Sequence, residues 1–389
     1  MSSNDSDIRA GAEALRQGDA HKAREFFTRA VASGRCDAST LLGLAQACGS
    51  LQDEAGRIAA VDRLLQAEPR NLRALILKAD HLAAAGDARS ASSYYLAAVN
   101  SAPPPGELPP ELNSELRRAQ QMCERYAAHY RTYITERLAA KGFNHAKSSR
   151  RFAQSLDIAL GKKKVFVQEP RYFYFSGLPQ IQFYERELFP WLDGVERATA
   201  DIRKELVEIL KEPDAFAPYV QGYANRPRKD EAGMLNNPAW SAFYLWKNGE
   251  PVAQNAARCP KTLQALAGAP LARVASRSPS ILFSLMRPGA HIPPHNGLIN
   301  TRLICHLPLI VPGRCDFRVG NEVRQWVEGK AWAFDDTIEH EAWNTTDQTR
   351  VILLFDIWRP ELTEEERALV VAMFEAIDAY SGKTPEWSI

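Results

Sequence analysis

The chain has 389 residues, 45% hydrophobic and 24% charged, with 48 Lys and Arg against 47 Asp and Glu. That length fits about two or three domains, and the composition excludes collagen, a disordered polymer and a small disulfide scaffold. A formal net charge of +1 offers no global attraction for nucleic acid or an anionic membrane, so neither is expected as a partner. The start, MSSNDSDIRAG, lacks a basic stretch followed by an apolar one, so no secretory signal is expected. No run of about 18 apolar residues is present, so no membrane segment is expected. Six widely spaced cysteines without a CxxC pair read as reduced thiols of a cytoplasmic protein. The aromatics are unevenly spread: all eight tryptophans follow residue 190, and the first 93 residues hold only Phe26 and Phe27. Two differently built halves are expected.

The first hundred residues repeat with a period of 34. Gly18, Gln52 and Gly86 open similar phrases, followed at fixed offsets by Ala23, Arg57 and Ala91, by Phe27, Val61 and Tyr95, and by Ala30, Leu64 and Ala98. Small residues, Gly11, Ala45 and Ala79, come seven before each opening, and Arg35, Pro69 and Pro103 close the units. The middle copy is degenerate, with Gln52 and Arg57 where the other two carry glycine and alanine. The pattern resembles the tetratricopeptide repeat, two antiparallel helices with small residues at their crossing. One such unit cannot bury its apolar face alone, so three stacked units are expected over residues 1–105. The stack is open to two readings, a groove for a peptide or protein partner and a platform that supports the next domain or dimerises.

The proline-rich stretch Ala102–Pro110 cannot continue a helix and marks a boundary. Residues 106–160 then read as connecting helices, with apolar spacing from Leu112 to Leu138. From residue 161 to 389 the character changes. VFVQEPRYFYFSGLP, beginning at Val165, reads as β-rich with a turn at Ser176–Gly177, and Ile181–Lys211 reads as helix. Short β-type runs follow (ILFSLMR, TRLICHLPLIV, CDFRV, EVRQWV, KAWAF and RVILLFDIW) and are broken by turns at Pro288–Gly289, Pro312–Gly313 and Gly320–Asn321. Such runs argue for a jelly roll. Thr363, with Glu366 three residues later, opens a closing helix by a capping box. The expected fold class is α+β and multidomain, a helical repeat stack followed by a cupin-like jelly roll with flanking helices.

Four of the eight histidines fall in this sheet region: His291, His295, His306 and His340. Imidazole is a common ligand for iron-type metals, and a double-stranded β-helix brings such distant positions together. Their surroundings carry a resemblance. Ser284, Met286, Pro288–Gly289, His291, Pro294–His295, Gly297, Asn300, Arg302–Leu303 and His306–Leu307 stand in one register. Gly329–Lys330, Phe334–Asp335–Asp336, Glu339–His340–Glu341, Trp343, Arg350 and Asp356-x-Trp358-x-Pro360 continue it. This pattern resembles the aspartyl/asparaginyl β-hydroxylase family, iron(II)- and 2-oxoglutarate-dependent dioxygenases on a double-stranded β-helix.

The resemblance implies iron(II), 2-oxoglutarate and dioxygen as cofactor and co-substrates, with succinate and CO2 released. It implies His295 and His340 as metal ligands, with glycine at 297 where most related oxygenases carry a carboxylate. Asp336, grouped with the catalytic residues, would orient a bound water. Arg350 and Ser284 would hold the distal carboxylate of 2-oxoglutarate, and His306 the carboxylate nearer the metal. Arg302 and Trp240 are the candidate substrate contacts. This sequence departs from the family at three positions expected to be basic, which are Ile304, Leu282 and Leu235. The function expected is β-hydroxylation of Asp, Asn or a similar residue in a peptide or protein. Two alternatives stay open: the same chemistry on a small molecule or lipid acyl chain, and a non-catalytic repeat-based binding protein with a decayed site.

Overall fold

The computed structural model describes residues 3–104, 107–222 and 233–381, and the chain divides into two compact units, Met1–Leu156 and Asp157–Ile389. Residues 105 and 106 of the proline-rich stretch lie outside the described residues.

The first unit is helical. Its helices are α1 (Ser3–Arg16), α2 (Ala20–Ala32), α3 (Ala38–Ser50), α4 (Glu54–Ala67), α5 (Leu72–Ala84), α6 (Ala88–Asn100) and the 30-residue α7 (Pro110–Ala139), followed by α8 (Arg150–Ala159). The 34-residue period is the pairing of α1 with α2, α3 with α4 and α5 with α6. Each repeat turns through a left-handed residue, Gly18 (φ 79°), Gln52 (φ 58°) or Gly86 (φ 82°). That geometry explains glycine in two of the three copies. The next residue is Asp19, Asp53 or Asp87 in turn, and its side chain accepts from the backbone N–H three residues on. This aspartate, an N-cap at the same period, belongs to the repeat as much as the small residues do. Phe27 shows why the small residues are needed: a Cβ on Gly11 would lie 3.0 Å from its ring, and one on Gly43 still closer.

The second unit is a two-sheet jelly roll. The larger sheet comprises β1 (Ala217–Pro218), β2 (Trp240–Lys247), β3 (Glu250–Pro251), β4 (Ile281–Met286), β6 (Arg302–Ile310), β9 (Trp332–Phe334) and β11 (Arg350–Trp358). Its order is β1-β2-β4-β11-β6-β9, with β3 paired to β2. The smaller sheet comprises β5 (His291–His295), β7 (Cys315–Val319), β8 (Glu322–Gln325) and β10 (His340–Asn344), in the order β5-β10-β7-β8. All strand pairs are antiparallel.

Period-two alternation sorts the larger sheet into two faces. Phe283, Leu285, Leu303, Cys305, Leu307, Leu353 and Phe355 face one core, which is closed by α9 (Leu192–Arg197), α10 (Thr199–Leu210) and the short α11 (Ala253–Ala256) and α12 (Pro260–Ala265). Ser284, Arg302, Ile304, His306, Arg350, Ile352 and Asp356 fall on the other face and line a cavity. The helix expected over Ile181–Lys211 is corrected at its start. Phe183 and Tyr184 are extended, joined to the sheet by the bridge Phe183↔Phe334 and by the Tyr184 N–H donating to the Ala333 carbonyl. Their rings enter opposite clusters, a strand pattern, and Pro190 keeps helix from extending back through them. Val165–Pro179 forms isolated bridges, Gln168↔Ile338 and Phe173↔Ile299, rather than a strand. The closing helix α13 (Glu364–Ser381) begins at the expected capping box: the Glu366 N–H donates to Thr363 Oγ1 at 3.2 Å, and the Thr363 N–H to Glu366 Oε2 at 2.8 Å.

Candidate active site

Two strands of the smaller sheet bring His295 and His340 together. They are direct cross-strand partners of β5 and β10, with ring centroids 4.1 Å apart. His295 Nδ1 lies 2.8 Å from the Pro293 carbonyl, and His340 Nδ1 lies 3.1 Å from the Ile338 carbonyl. A carbonyl only accepts, so in each ring Nδ1 is the donor, and in the neutral ring Nε2 is the lone-pair nitrogen. Burial, reinforced by neighbouring His295, pushes the pKa of His340 well below the usual histidine range. The ring is therefore neutral and its lone pair stays available for a metal.

Gly297 lies two residues beyond His295 and accommodates Asp336. A Cβ built at 297 would stand 2.7 Å from Asp336 Oδ1 and closer still to Oδ2. The Asp336 carboxylate thus fills the space that a side chain at 297 would need. Its Oδ2 accepts from Arg302 Nη2 at 3.2 Å, and its Oδ1 has no hydrogen-bond partner among the described residues. No group of three or more His, Cys, Asp or Glu side chains is placed to hold a metal among the described residues. His295 and His340 thus share the cavity as a pair, and an unpartnered carboxylate oxygen belongs to a residue that lines it too.

Burial raises the pKa of Asp336 to about 7, against the opposing pull of Arg302 and with Asp335 and Asp356 adding to the rise. An unfolded Asp loses its proton near its ordinary value of 3.8, whereas the folded one keeps it to about 7. Between those values the folded state binds more protons, so stability falls as pH rises. In metal-free protein, Asp336→Asn is expected to flatten this decline between about pH 4 and 7. Melting temperatures of both proteins across that range check it, and parallel curves would contradict it.

The larger sheet supplies the other end of the cavity. Arg350, at the start of β11, is 1% exposed. It donates to the Ser284 carbonyl at 3.4 Å and lies 4.5 Å from the Trp326 ring centroid. No carboxylate pairs with it among the described residues, and its Nε has no acceptor. Burial lowers its pKa to about 9, which still leaves a cation at neutral pH. A buried unpaired guanidinium is costly, and an anion bound in the cavity would offset that cost. Ser284 Oγ, buried beside it, accepts from Trp240 Nε1 at 3.2 Å, leaving the hydroxyl proton for another acceptor. His306 Nδ1 accepts from Trp326 Nε1 at 3.4 Å. Its neutral ring, held uncharged by burial and by Arg350, therefore carries its proton on Nε2. This is the tautomer opposite to that of His295 and His340, suited to donating to an oxygen rather than binding a metal.

Arg302 and Trp240 also line the cavity, but both terminal nitrogens of Arg302 and the indole N–H of Trp240 are engaged. Arg302 donates to Asp356 Oδ2 at 2.5 Å and to Asp336 Oδ2 at 3.2 Å. Trp240 stacks on Tyr219 at 4.0 Å and spends its indole N–H on Ser284. His291 sits apart on the exposed face, stacked on Trp343 and paired with Glu341. Ile304 and Leu282, two of the three departures, are buried apolar residues. Several cavity residues escape motif reading, namely Tyr219, Gln221, Phe317 and Trp326. Asp356 could have been found by counting in twos along β11 from Arg350. No sequence signal marks Tyr219 or Gln221.

The loops carrying these groups are fixed from behind. Asp335 accepts from Arg359 Nη1 at 2.7 Å and from Gln168 Nε2 at 2.6 Å, and both Asp335 and Arg359 are fully buried. Arg359 also reaches the Pro179 carbonyl and the Tyr184 hydroxyl. Asn300 donates to Gln168 and to the Phe175 carbonyl. Through this network the 166–184 segment holds the turns on which Gly297, Asp336 and His340 sit.

Residues 196–360 match the family model described as aspartyl/asparaginyl beta-hydroxylase. The chain is 38% identical over 180 residues to the ornithine lipid ester-linked acyl 2-hydroxylase of Rhizobium tropici, covering 46% of this chain and 60% of the relative. It is 39% identical over 145 residues to the human aspartyl/asparaginyl beta-hydroxylase, covering 37% of this chain and 19% of the relative. A third relative, aspartate beta-hydroxylase domain-containing protein 2 of Xenopus tropicalis, is 28% identical over 213 residues, covering 54% of this chain and 55% of the relative. The chain thus spans between about a fifth and three fifths of the length of these relatives. The span similar to the aspartyl/asparaginyl beta-hydroxylase family model holds the histidine pair, Gly297, Asp336 and Arg350 alike.

Proposed function

We propose that the chain is an iron(II)- and 2-oxoglutarate-dependent hydroxylase. The observation that carries this reading is one cavity with two complementary ends. At one end is a histidine pair with both Nδ1 atoms fixed by carbonyls. At the other is a buried guanidinium with no carboxylate partner among the described residues. Bound iron(II), with 2-oxoglutarate and dioxygen, would supply the oxidising power to hydroxylate an unactivated C–H bond as succinate and CO2 are released.

The chain's own residues bind, orient and exclude water. His295 and His340 hold the metal through Nε2, and the carbonyls of Pro293 and Ile338 fix both rings. Asp336, with its unpartnered Oδ1, accepts from a water beside the metal. Arg350 clamps the distal carboxylate of 2-oxoglutarate, with the Ser284 hydroxyl as a second donor. Trp240 orients that hydroxyl through its indole N–H. His306 donates from Nε2 to the carboxylate nearer the metal. Phe317, Trp326 and Phe334 wall this end and keep water from it.

The substrate proposed is a residue in a peptide or protein. The relative named aspartyl/asparaginyl beta-hydroxylase supports that reading, and the repeat stack fits a partner-binding or dimerising role. A second reading, hydroxylation of a lipid acyl chain, is favoured by the identity to the ornithine lipid acyl 2-hydroxylase. The proposed location is cytoplasmic. All six cysteines are free thiols, and no described helix is long and apolar enough to cross a membrane.

The reading is tested by binding. Protein loaded with Mn(II) should bind 2-oxoglutarate, and Arg350→Gln should weaken that binding by about a hundredfold while Mn(II) affinity holds. Equal 2-oxoglutarate affinity in both proteins would remove Arg350 from the site.

A further inference from the structure

The geometry points to Asp356 as the residue that sets the charge of the substrate. By sharing Arg302 with Asp336 it withdraws that guanidinium from anion binding, so the cavity takes an uncharged group bearing N–H or O–H donors and rejects a carboxylate. This rests on the oxygenase reading and narrows its substrate class.

Three observations carry it. Arg302 is 7% exposed and both of its terminal nitrogens are engaged, Nη1 with Asp356 Oδ2 at 2.5 Å and Nη2 with Asp336 Oδ2 at 3.2 Å. Those two carboxylates, against the guanidinium's own burial, hold its pKa above the ordinary arginine value. An arriving anion would meet two carboxylates around one cation. At the Arg302 end of the cavity, among the described residues, the unsatisfied atoms are mostly acceptors. Asp356 Oδ1 and Asp336 Oδ1 are buried without partners, against one donor, Arg302 Nε. Asp336 Oδ1 is assigned to water, which leaves Asp356 Oδ1 to receive a donor from the substrate. Nor does another arginine serve this end. Arg350 lies six residues from Asp356 on β11, about 20 Å along the strand, and is taken by the co-substrate. Ile304, opposite Asp356 on β6, and Leu282, opposite Leu354 on β4, are apolar and buried, and the Ser280 N–H donates to Asp356 Oδ2 at 3.2 Å. Lys247, the remaining cation of the cavity lining, stands over the Tyr244 ring at 5.2 Å.

The test uses the full chain loaded with Mn(II) and N-oxalylglycine, a redox-inert stand-in pair. Two probes are offered at neutral pH, N-acetyl-asparagine N-methylamide and N-acetyl-aspartate N-methylamide. Paramagnetic broadening of each probe's β-protons reports approach to the metal without turnover. Broadening of the asparagine probe is expected to exceed that of the aspartate probe at least about tenfold. Asp356→Asn, which frees one face of Arg302, should bring the two within about twofold. If that variant does not fold, the wild-type ratio alone decides. Equal or greater broadening by the aspartate probe would overturn the inference, as would no broadening by either probe while Mn(II) is held. Failure of the wild-type chain to hold Mn(II) at all is a separate result, and it overturns the oxygenase reading together with this inference.

Discussion

Gly297→Ala is expected to destabilise the second unit by about 1–3 kcal/mol, the cost of forcing a methyl group into packed space. The space is taken by a charged group. The new Cβ would overlap the Asp336 carboxylate, which is itself held by Arg302. Relief requires Asp336 to leave Arg302, and metal retention should fall with stability. The double variant Gly297→Ala with Asp336→Ala removes the collision, so its destabilisation should be smaller than the sum of the single changes. Urea unfolding followed by tryptophan fluorescence measures this, because every tryptophan follows residue 190 and so reports on this unit. Strict additivity would contradict the overlap. By the same geometry, Gly297→Asp cannot add a third carboxylate ligand while Asp336 is present.

A larger loss is expected from Asp335→Ala. Arg359 is fully buried against Asp335, and removing the acid leaves a buried guanidinium short of its charge partner. Such a break costs about 3–5 kcal/mol. Gln168 and Thr337 lose their acceptor as well, so the 335–340 turn that carries Asp336 and His340 loosens. Replacing both partners by leucine removes the stranded charge and should cost less than either single change. A double variant as unstable as both single changes summed would show that the two act independently.

These two sites also show what could be read in the residues. The strands richest in β-branched and aromatic residues (β4, β6, β7, β8, β9 and β11) declare themselves by composition and turns. The strands that carry the histidine pair do not. His291–His295 contains two prolines, which argue against a strand, yet β5 is an edge strand with only β10 beside it, where proline is tolerated. β10, HEAWN, is short, and it buries the polar His340 and Asn344 while Glu341 and Trp343 alternate outward. The motif found these histidines, and pairing placed them face to face. The role of Gly297 was legible only as an absence of carboxylate. That Asp336 fills its space follows from a contact 39 residues away in sequence, which local pattern cannot supply. The engagement of Arg302 by Asp336 and Asp356 is likewise tertiary. In the repeats, the small residues were visible at their period, whereas Asp19, Asp53 and Asp87 gained meaning once they appeared as N-caps.

The histidine pair and Arg350 are proposed to serve one 2-oxoglutarate-dependent reaction. The most direct measurement is succinate formed from 2-oxoglutarate by the purified full chain with iron(II) and ascorbate, beside His340→Ala. Succinate is expected from the wild type and none above background from the variant, since His340 is proposed as one of two protein ligands. Equal succinate from both proteins, or none from wild type shown to hold iron, would contradict it.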